Sequence, residues 1–188
     1  LYIAFGTTDG HTATVVEALR QAITAAGHRV TVTNLMTDAG QIPEDADGVI
    51  VAASLHVGQL QTAVKRFITD QLGRLTALPA AMVTVCLAVT KGPEGRQEGL
   101  AAVETQLGDL GWQPTVIELV AGARAYAHYG FFKRLFMRWI ASRSGSPDVD
   151  MSRSYVYTDF EALRRFGTAF AARVASVPDP AVTGPSGG

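Results

Sequence analysis

The sequence is poor in the residue types that several classes of protein need. It contains one cysteine, Cys86, among 188 residues, so it can form neither an intramolecular disulfide nor a cysteine-based zinc cluster. Its 16 basic and 17 acidic residues leave a net charge of −1, so we expect no nucleic-acid partner. The histidines have no metal-ligand spacing, and we expect no metal. The composition favours a globular protein in the cytoplasm.

Long apolar stretches and the common nucleotide-binding motifs are also missing. The longest nearly uninterrupted apolar run covers residues 78–89, which is shorter than the roughly 20 residues needed to cross a bilayer. No segment has the pattern of a signal peptide. Neither G-x-G-x-x-G nor G-x-x-x-x-G-K-[ST] occurs, which weakens the case for a dinucleotide or a nucleoside triphosphate as ligand.

Short apolar runs alternate with helical patterns along most of the chain. The runs predict strands at residues 1–5, 48–53, 80–87 and 115–121, and the alternation of Val30 and Val32 with polar residues predicts a further short strand at residues 30–32. One helical pattern extends from Leu60 to Leu75, and others follow the first and fourth strands. This alternation predicts an α/β fold with a doubly wound parallel sheet, formed by one domain over residues 1–176.

Three segments lie outside this regular alternation. Thr158 and Glu161 have the spacing of a capping box, which predicts the start of the last helix. Before that helix lies an insertion, at about residues 122–154, which is far longer than a usual strand-to-helix connection. Residues 177–188 contain three prolines and no periodicity, and we expect this tail to be disordered.

The loop after the first strand is a candidate phosphate site. Ligands of parallel α/β sheets bind beyond the carboxyl ends of the strands, where the strand order reverses. Residues 7–12 read Thr-Thr-Asp-Gly-His-Thr and lead into a helix, so that hydroxyls and backbone amides would meet an anion there. The alternative is that Thr8 and Thr12 only cap the helix.

The segment Gly6–Thr12 resembles the phosphate loop of flavodoxins, in which threonines and a glycine surround the phosphate of FMN. From Leu1 to about Val174 the chain is similar to the flavodoxin-like, quinone-dependent protoporphyrinogen IX dehydrogenases. The segments that carry this likeness are 5–12, 53–58, 120–124 and 155–160, with Tyr126 and Tyr129. The resemblance implies a five-stranded sheet of order 2-1-3-4-5, FMN as cofactor, protoporphyrinogen IX as electron donor and a membrane quinone as acceptor.

The resemblance also implies which residues bind the cofactor. They form a phosphate loop, two loops that flank the flavin ring, and the end of the fifth strand: Thr7, Thr8, Asp9, Gly10, His11 and Thr12; Ser54, Leu55, His56, Val57 and Gly58; Cys86, Leu87, Ala88 and Val89; Gly122 and Ala123. The family often has an aromatic residue at the place of Val57 and an asparagine at that of Cys86. No catalytic side chain is expected, because the chemistry belongs to the cofactor.

The insertion differs in charge from the rest of the chain. Residues 124–154 contain six basic and two acidic residues, and residues 131–143 have the pattern of a basic amphipathic helix. Such a helix suits an apolar substrate with anionic groups, or peripheral contact with the inner face of the cell membrane. The candidate residues are Arg124, Tyr126, Phe132, Arg138 and Trp139. The alternative is that this helix packs on the sheet or on a second copy in a homodimer.

Two other functions stay open at this point. The chain could be an electron carrier or quinone reductase with another donor, an interpretation that the departures at Val57 and Cys86 leave open. It could also be a flavodoxin-like interaction domain without a cofactor.

Overall fold

The computed structural model describes residues 1–7, 10–122 and 158–176. Five parallel strands form one sheet in the order β2-β1-β3-β4-β5. The strands are β1 (Tyr2–Phe5), β2 (Thr31–Asn34), β3 (Val49–Ser54), β4 (Ala80–Cys86) and β5 (Val116–Ala121). The predicted fold class and strand order are confirmed.

In the described ranges, five α-helices and one short 3₁₀ helix connect and cover the strands. They are α1 (His11–Ala25), α2 (Thr62–Asp70), α3 (Leu72–Ala77), the 3₁₀ helix Leu87–Lys91, α4 (Pro93–Asp109) and α5 (Phe160–Ala175). The single helical pattern predicted from Leu60 to Leu75 is wrong in one respect, because it is divided at Gln71. The φ of Gln71 is −107°, outside the helical range, so α2 ends and α3 begins at this residue.

Each face of the sheet has its own apolar core. Along β1, Tyr2 and Ala4 pack with residues of α2, α3 and α4, whereas Ile3 and Phe5 pack with residues of α1 and α5. This division follows from the alternation of side chains along a strand. Because both faces are covered, the inner strands β1, β3 and β4 are mostly apolar and almost fully buried, whereas the edge strand β2 alternates, as the sequence indicated.

The start of α5 differs from the predicted capping box. Asp159 is the N-cap residue, and its Oδ1 accepts hydrogen bonds from the amides of Glu161 and Ala162 at 3.0 and 2.9 Å. The capping role predicted for Thr158 is wrong, since its hydroxyl bonds elsewhere: it donates to the carbonyl oxygen of Ala121 at 2.6 Å.

No helix within the described part of the chain is long and apolar enough to span a bilayer. The tail predicted to be disordered and nearly all of the insertion lie outside the described residues.

Candidate functional site

The predicted site segments follow strands that end at one edge of the sheet. Since all five strands are parallel, the loops after β1, β3, β4 and β5 share the carboxyl edge, and the chain reverses its direction of winding between β1 and β3. Backbone bonds join neighbouring strand ends: the amide of Gly6 donates to Ala52 O at 2.9 Å, and that of Leu55 to Val85 O at 2.9 Å. The amide of Gly122 donates to Cys86 O at 3.3 Å.

The start of α1 places backbone amides and threonine hydroxyls at the carboxyl edge. Gly10 is the N-cap residue, with a φ of 83°, and as a glycine it has no side chain to cap the helix; the first turn of α1 has no acidic residue. The amide of Gly10 donates to Thr7 Oγ1 at 2.9 Å. Thr12 is 1% exposed, and its Oγ1 has no hydrogen-bond partner among the described residues. Thr12 therefore does not cap the helix, and a buried hydroxyl without a partner beside a helix N-terminus suits an anionic ligand.

His11 connects this loop with the end of β5. Its Nε2 lies 2.8 Å from the hydroxyl oxygen of Thr158, which itself donates to the carbonyl of Ala121. The single hydroxyl proton of Thr158 is used in that bond, so Nε2 of His11 is the donor. Burial lowers the pKa of His11 below 6.5, while the Ala121 backbone opposes this shift. The sequence predicted His11 as a loop residue but gave no sign of this contact over 147 positions.

The lowered pKa of His11 makes the folding stability depend on pH. The unfolded chain binds the His11 proton more tightly than the folded chain does. The contribution of neutral His11 to folding stability is therefore complete above pH 6.5, and it is lost as the pH falls from there towards the lower pKa of the folded state. We expect His11→Gln, which keeps a side-chain amide donor, to lose less stability than the native protein between pH 7.5 and 5.5. The difference is at most about 1.4 kcal/mol per pH unit, the value for one proton. Urea unfolding at both pH values measures it, and parallel stability profiles would contradict it.

Two predicted ring-side loops carry exposed apolar side chains. The large apolar side chains exposed in the described residues are Met36, Val57 and Leu87, and the last two lie in the loops after β3 and β4. A β-carbon on Gly122 would lie 3.4 Å from Leu87 Cδ2, so the structure brings these two predicted residues together. The side chain of Cys86 is buried, whereas His56 is exposed.

Gln61 is a residue of this edge that the sequence analysis missed. Its Nε2 donates to Ser54 Oγ, and its Oε1 is buried and has no partner in the part of the chain that the structure describes. A β-carbon on Gly6 would lie 3.5 Å from that oxygen and 2.5 Å from Val64 Cγ2, so only glycine allows α2 to approach the end of β1 this closely. No sequence motif singles out Gln61, because its role depends on how α2 packs.

Several predicted site residues cannot be located. Thr8, Asp9 and Ala123 of the cofactor set, and all five substrate or membrane candidates, lie outside the described residues. Within the described residues, no group of three His, Cys, Asp or Glu side chains could hold a metal ion.

Curated relatives with one shared name align with most of the chain. A protein named Protoporphyrinogen IX dehydrogenase [quinone] from Leishmania major is 29% identical over 175 residues, which are 93% of this chain and 75% of the relative. The protein of the same name from Escherichia coli strain K12 is 27% identical over 169 residues, which are 90% of this chain and 93% of the relative.

Solved flavodoxins share the fold. Oxidised Flavodoxin 1 from Bacillus cereus is 18% identical with a TM-score of 0.54, covering 94% of this chain and 98% of its own. A short-chain flavodoxin associated with a PDU bacterial microcompartment has the same TM-score at 14% identity, with coverage of 93% and 97%. The family model described as a flavodoxin domain matches residues 2–150. The chain therefore belongs to the flavodoxin domain family, a membership that supports FMN as its cofactor.

Proposed function

We propose that this protein is an FMN-dependent protoporphyrinogen IX dehydrogenase that passes electrons to a quinone. The observation that carries the proposal is the alignment of relatives with this name over at least 90% of the chain.

The residues at the carboxyl edge fit a flavin mononucleotide. The hydroxyl of Thr12, which has no partner among the described residues, and the glycine N-cap of α1 suit the phosphate. The exposed side chains of Val57 and Leu87 suit an apolar ring. Both ends of the cofactor thus have complementary groups on loops that follow neighbouring strands.

In this proposal the chain binds and orients the cofactor. Thr7, Gly10 and Thr12 hold the phosphate, while residues 54–58 and 86–89 lie on either side of the ring and Gly122 leaves room at the end of β5. When bound, FMN supplies the capacity to accept hydrogen from an organic donor and to release electrons to a quinone. The apolar side chains at this edge would exclude water from the ring, and no protein acid or base is required.

The candidate residues of the insertion extend the proposal to substrate and membrane. We infer that the basic and apolar residues 131–143 contact the porphyrinogen or the membrane that holds the quinone. Charge and pattern support this part. The alternative, that residues 131–143 contact a second copy of the chain, also stays a prediction.

A spectroscopic titration tests the proposed function. We expect anaerobic addition of protoporphyrinogen IX to the FMN-loaded protein to bleach the flavin absorption, and a menaquinone analogue to restore it. A bound flavin that does not respond to porphyrinogen would instead indicate an electron carrier or another reductase. Failure to bind FMN would indicate an interaction domain.

A further inference from the structure

The turn at residues 56–59 has a strained backbone. The amide of His56 donates to Gln59 O and that of Gln59 to His56 O, both at 2.9 Å, which closes a two-residue turn. Val57 and Gly58 at its centre have φ values of 50° and 74°. Positive φ at both central residues is typical of a type I′ turn, which favours Asn-Gly and disfavours a β-branched residue. Val57 is 101% exposed, so packing of its side chain does not compensate the strain.

A buried side chain of α4 binds the backbone of this turn. Gln106 of α4 is 8% exposed, and its Nε2 donates to Gly58 O at 2.7 Å and to Ala102 O at 3.1 Å. Its Oε1 accepts from the amide of Leu60 at 2.9 Å. The two bonds to the loop flank Gln59, so Gln106 binds the chain immediately before and after the end of the turn. Both ends of the side-chain amide are used in this way.

The bonds from Gln106 stabilise the turn more than the residues of the turn itself do. Val-Gly has no strong preference for the observed turn, and the bond that Gln59 Oε1 accepts from Lys65 Nζ at 2.8 Å is at the surface. A buried bond of this kind is more costly to break than an exposed one. The position of the turn therefore depends on α4.

We propose that Gln106 is a positioning residue that fixes the 56–59 turn beside the flavin ring. The inference rests on the proposed function, since the turn matters to a ligand only if the flavin binds at this edge. Gln106 touches no reacting group; it acts through the backbone of residues 58 and 60.

The test compares FMN with riboflavin, which has the same ring and no phosphate. We expect Gln106→Leu to weaken the binding of both by a similar factor, on the order of tenfold, because buried polar groups of the loop lose their partner and the turn moves. Gln71→Leu is the matched control: Gln71 Oε1 also accepts from a loop amide, that of Ile42 at 3.2 Å, in a loop that leads to the opposite end of β3. We expect this variant to bind both ligands within about twofold of the native protein.

A second substitution separates positioning from general loss of stability. Val57→Asn gives the turn the sequence that type I′ geometry favours, so it should need Gln106 less. We expect Gln106→Leu to weaken ring binding clearly less in the Val57→Asn background than in the native one. Equal weakening in both backgrounds would overturn the inference, as would native affinity of Gln106→Leu for both ligands. If the native protein binds no flavin, the proposed function itself fails.

Gln106→Glu tests the positioning role of Gln106 if Gln106→Leu does not fold. A protonated glutamic acid can still donate to Gly58 O, whereas the carboxylate cannot. Flavin affinity relative to the native protein at the same pH should therefore rise as the pH is lowered. A ratio that does not change with pH would overturn the inference.

Discussion

Gly95→Ala is expected to destabilise the protein by about 1 to 3 kcal/mol, the usual cost of an extra carbon in a closely packed place. A β-carbon on Gly95 would overlap the carbonyl oxygen of Ala88 and lie 2.9 Å from Lys91 Cβ. The overlapping atom belongs to the backbone of the 3₁₀ helix, so it cannot give way by a change of rotamer. The 3₁₀ helix or the start of α4 must move.

The same displacement should affect the cofactor, because residues 87–89 are proposed to lie against the ring. We expect FMN binding by Gly95→Ala to weaken together with its stability, as measured by urea unfolding and FMN titration. Gly108→Ala is the control in the same helix, since nothing lies within 4 Å of its β-carbon position. It should raise stability by about 0.4 to 1 kcal/mol. Equal stability of the two variants would show that Ala88 does not restrict α4.

Thr12→Val is expected to change stability and cofactor binding in opposite directions. In the protein without cofactor, the substitution removes a buried hydroxyl that has no partner in the described residues, so stability should stay the same or rise. With FMN, the loss of that donor should weaken binding by about 1 to 3 kcal/mol. Riboflavin affinity should not change, because riboflavin has no phosphate.

Thr84→Val provides the matched control for this prediction. Thr84 lies within β4, is fully buried, and also has a hydroxyl without a partner in the described part of the chain. Its substitution should leave FMN affinity unchanged while having a similar effect on stability. The assignment of Thr12 to the phosphate would fail if both variants bound FMN like the native protein.

The sheet could be predicted from the sequence because each strand carries its own signal. Residues 48–53 are a continuous apolar run and residues 80–87 are apolar except for Thr84, and burial on both faces of a parallel sheet favours such runs. The strand order came from the resemblance, and the structure has the same order. The division at Gln71 could not be predicted, since the apolar spacing continues through it.

The contacts that position the site could not be predicted in the same way. Gln106 meets Leu60 over 46 positions, and His11 meets Thr158 over 147, so neither pair leaves a local pattern. Thr158 did have a local pattern, that of an N-cap, and the structure uses its hydroxyl for a distant partner instead. Local signals identified the loops, whereas the tertiary packing decided which side chains hold them.

The bond between Thr158 and Ala121 has a consequence for how the chain can vary in length. It joins positions 37 residues apart at 2.6 Å, and His11 fixes the junction to the loop after β1. The ends of the intervening segment are therefore brought together by the domain itself, and the entropic cost of closing a loop grows only slowly with its length. Segments of different length can therefore connect Ala121 with Thr158 while the two residues stay in place. This makes the junction a suitable position for inserting foreign sequence.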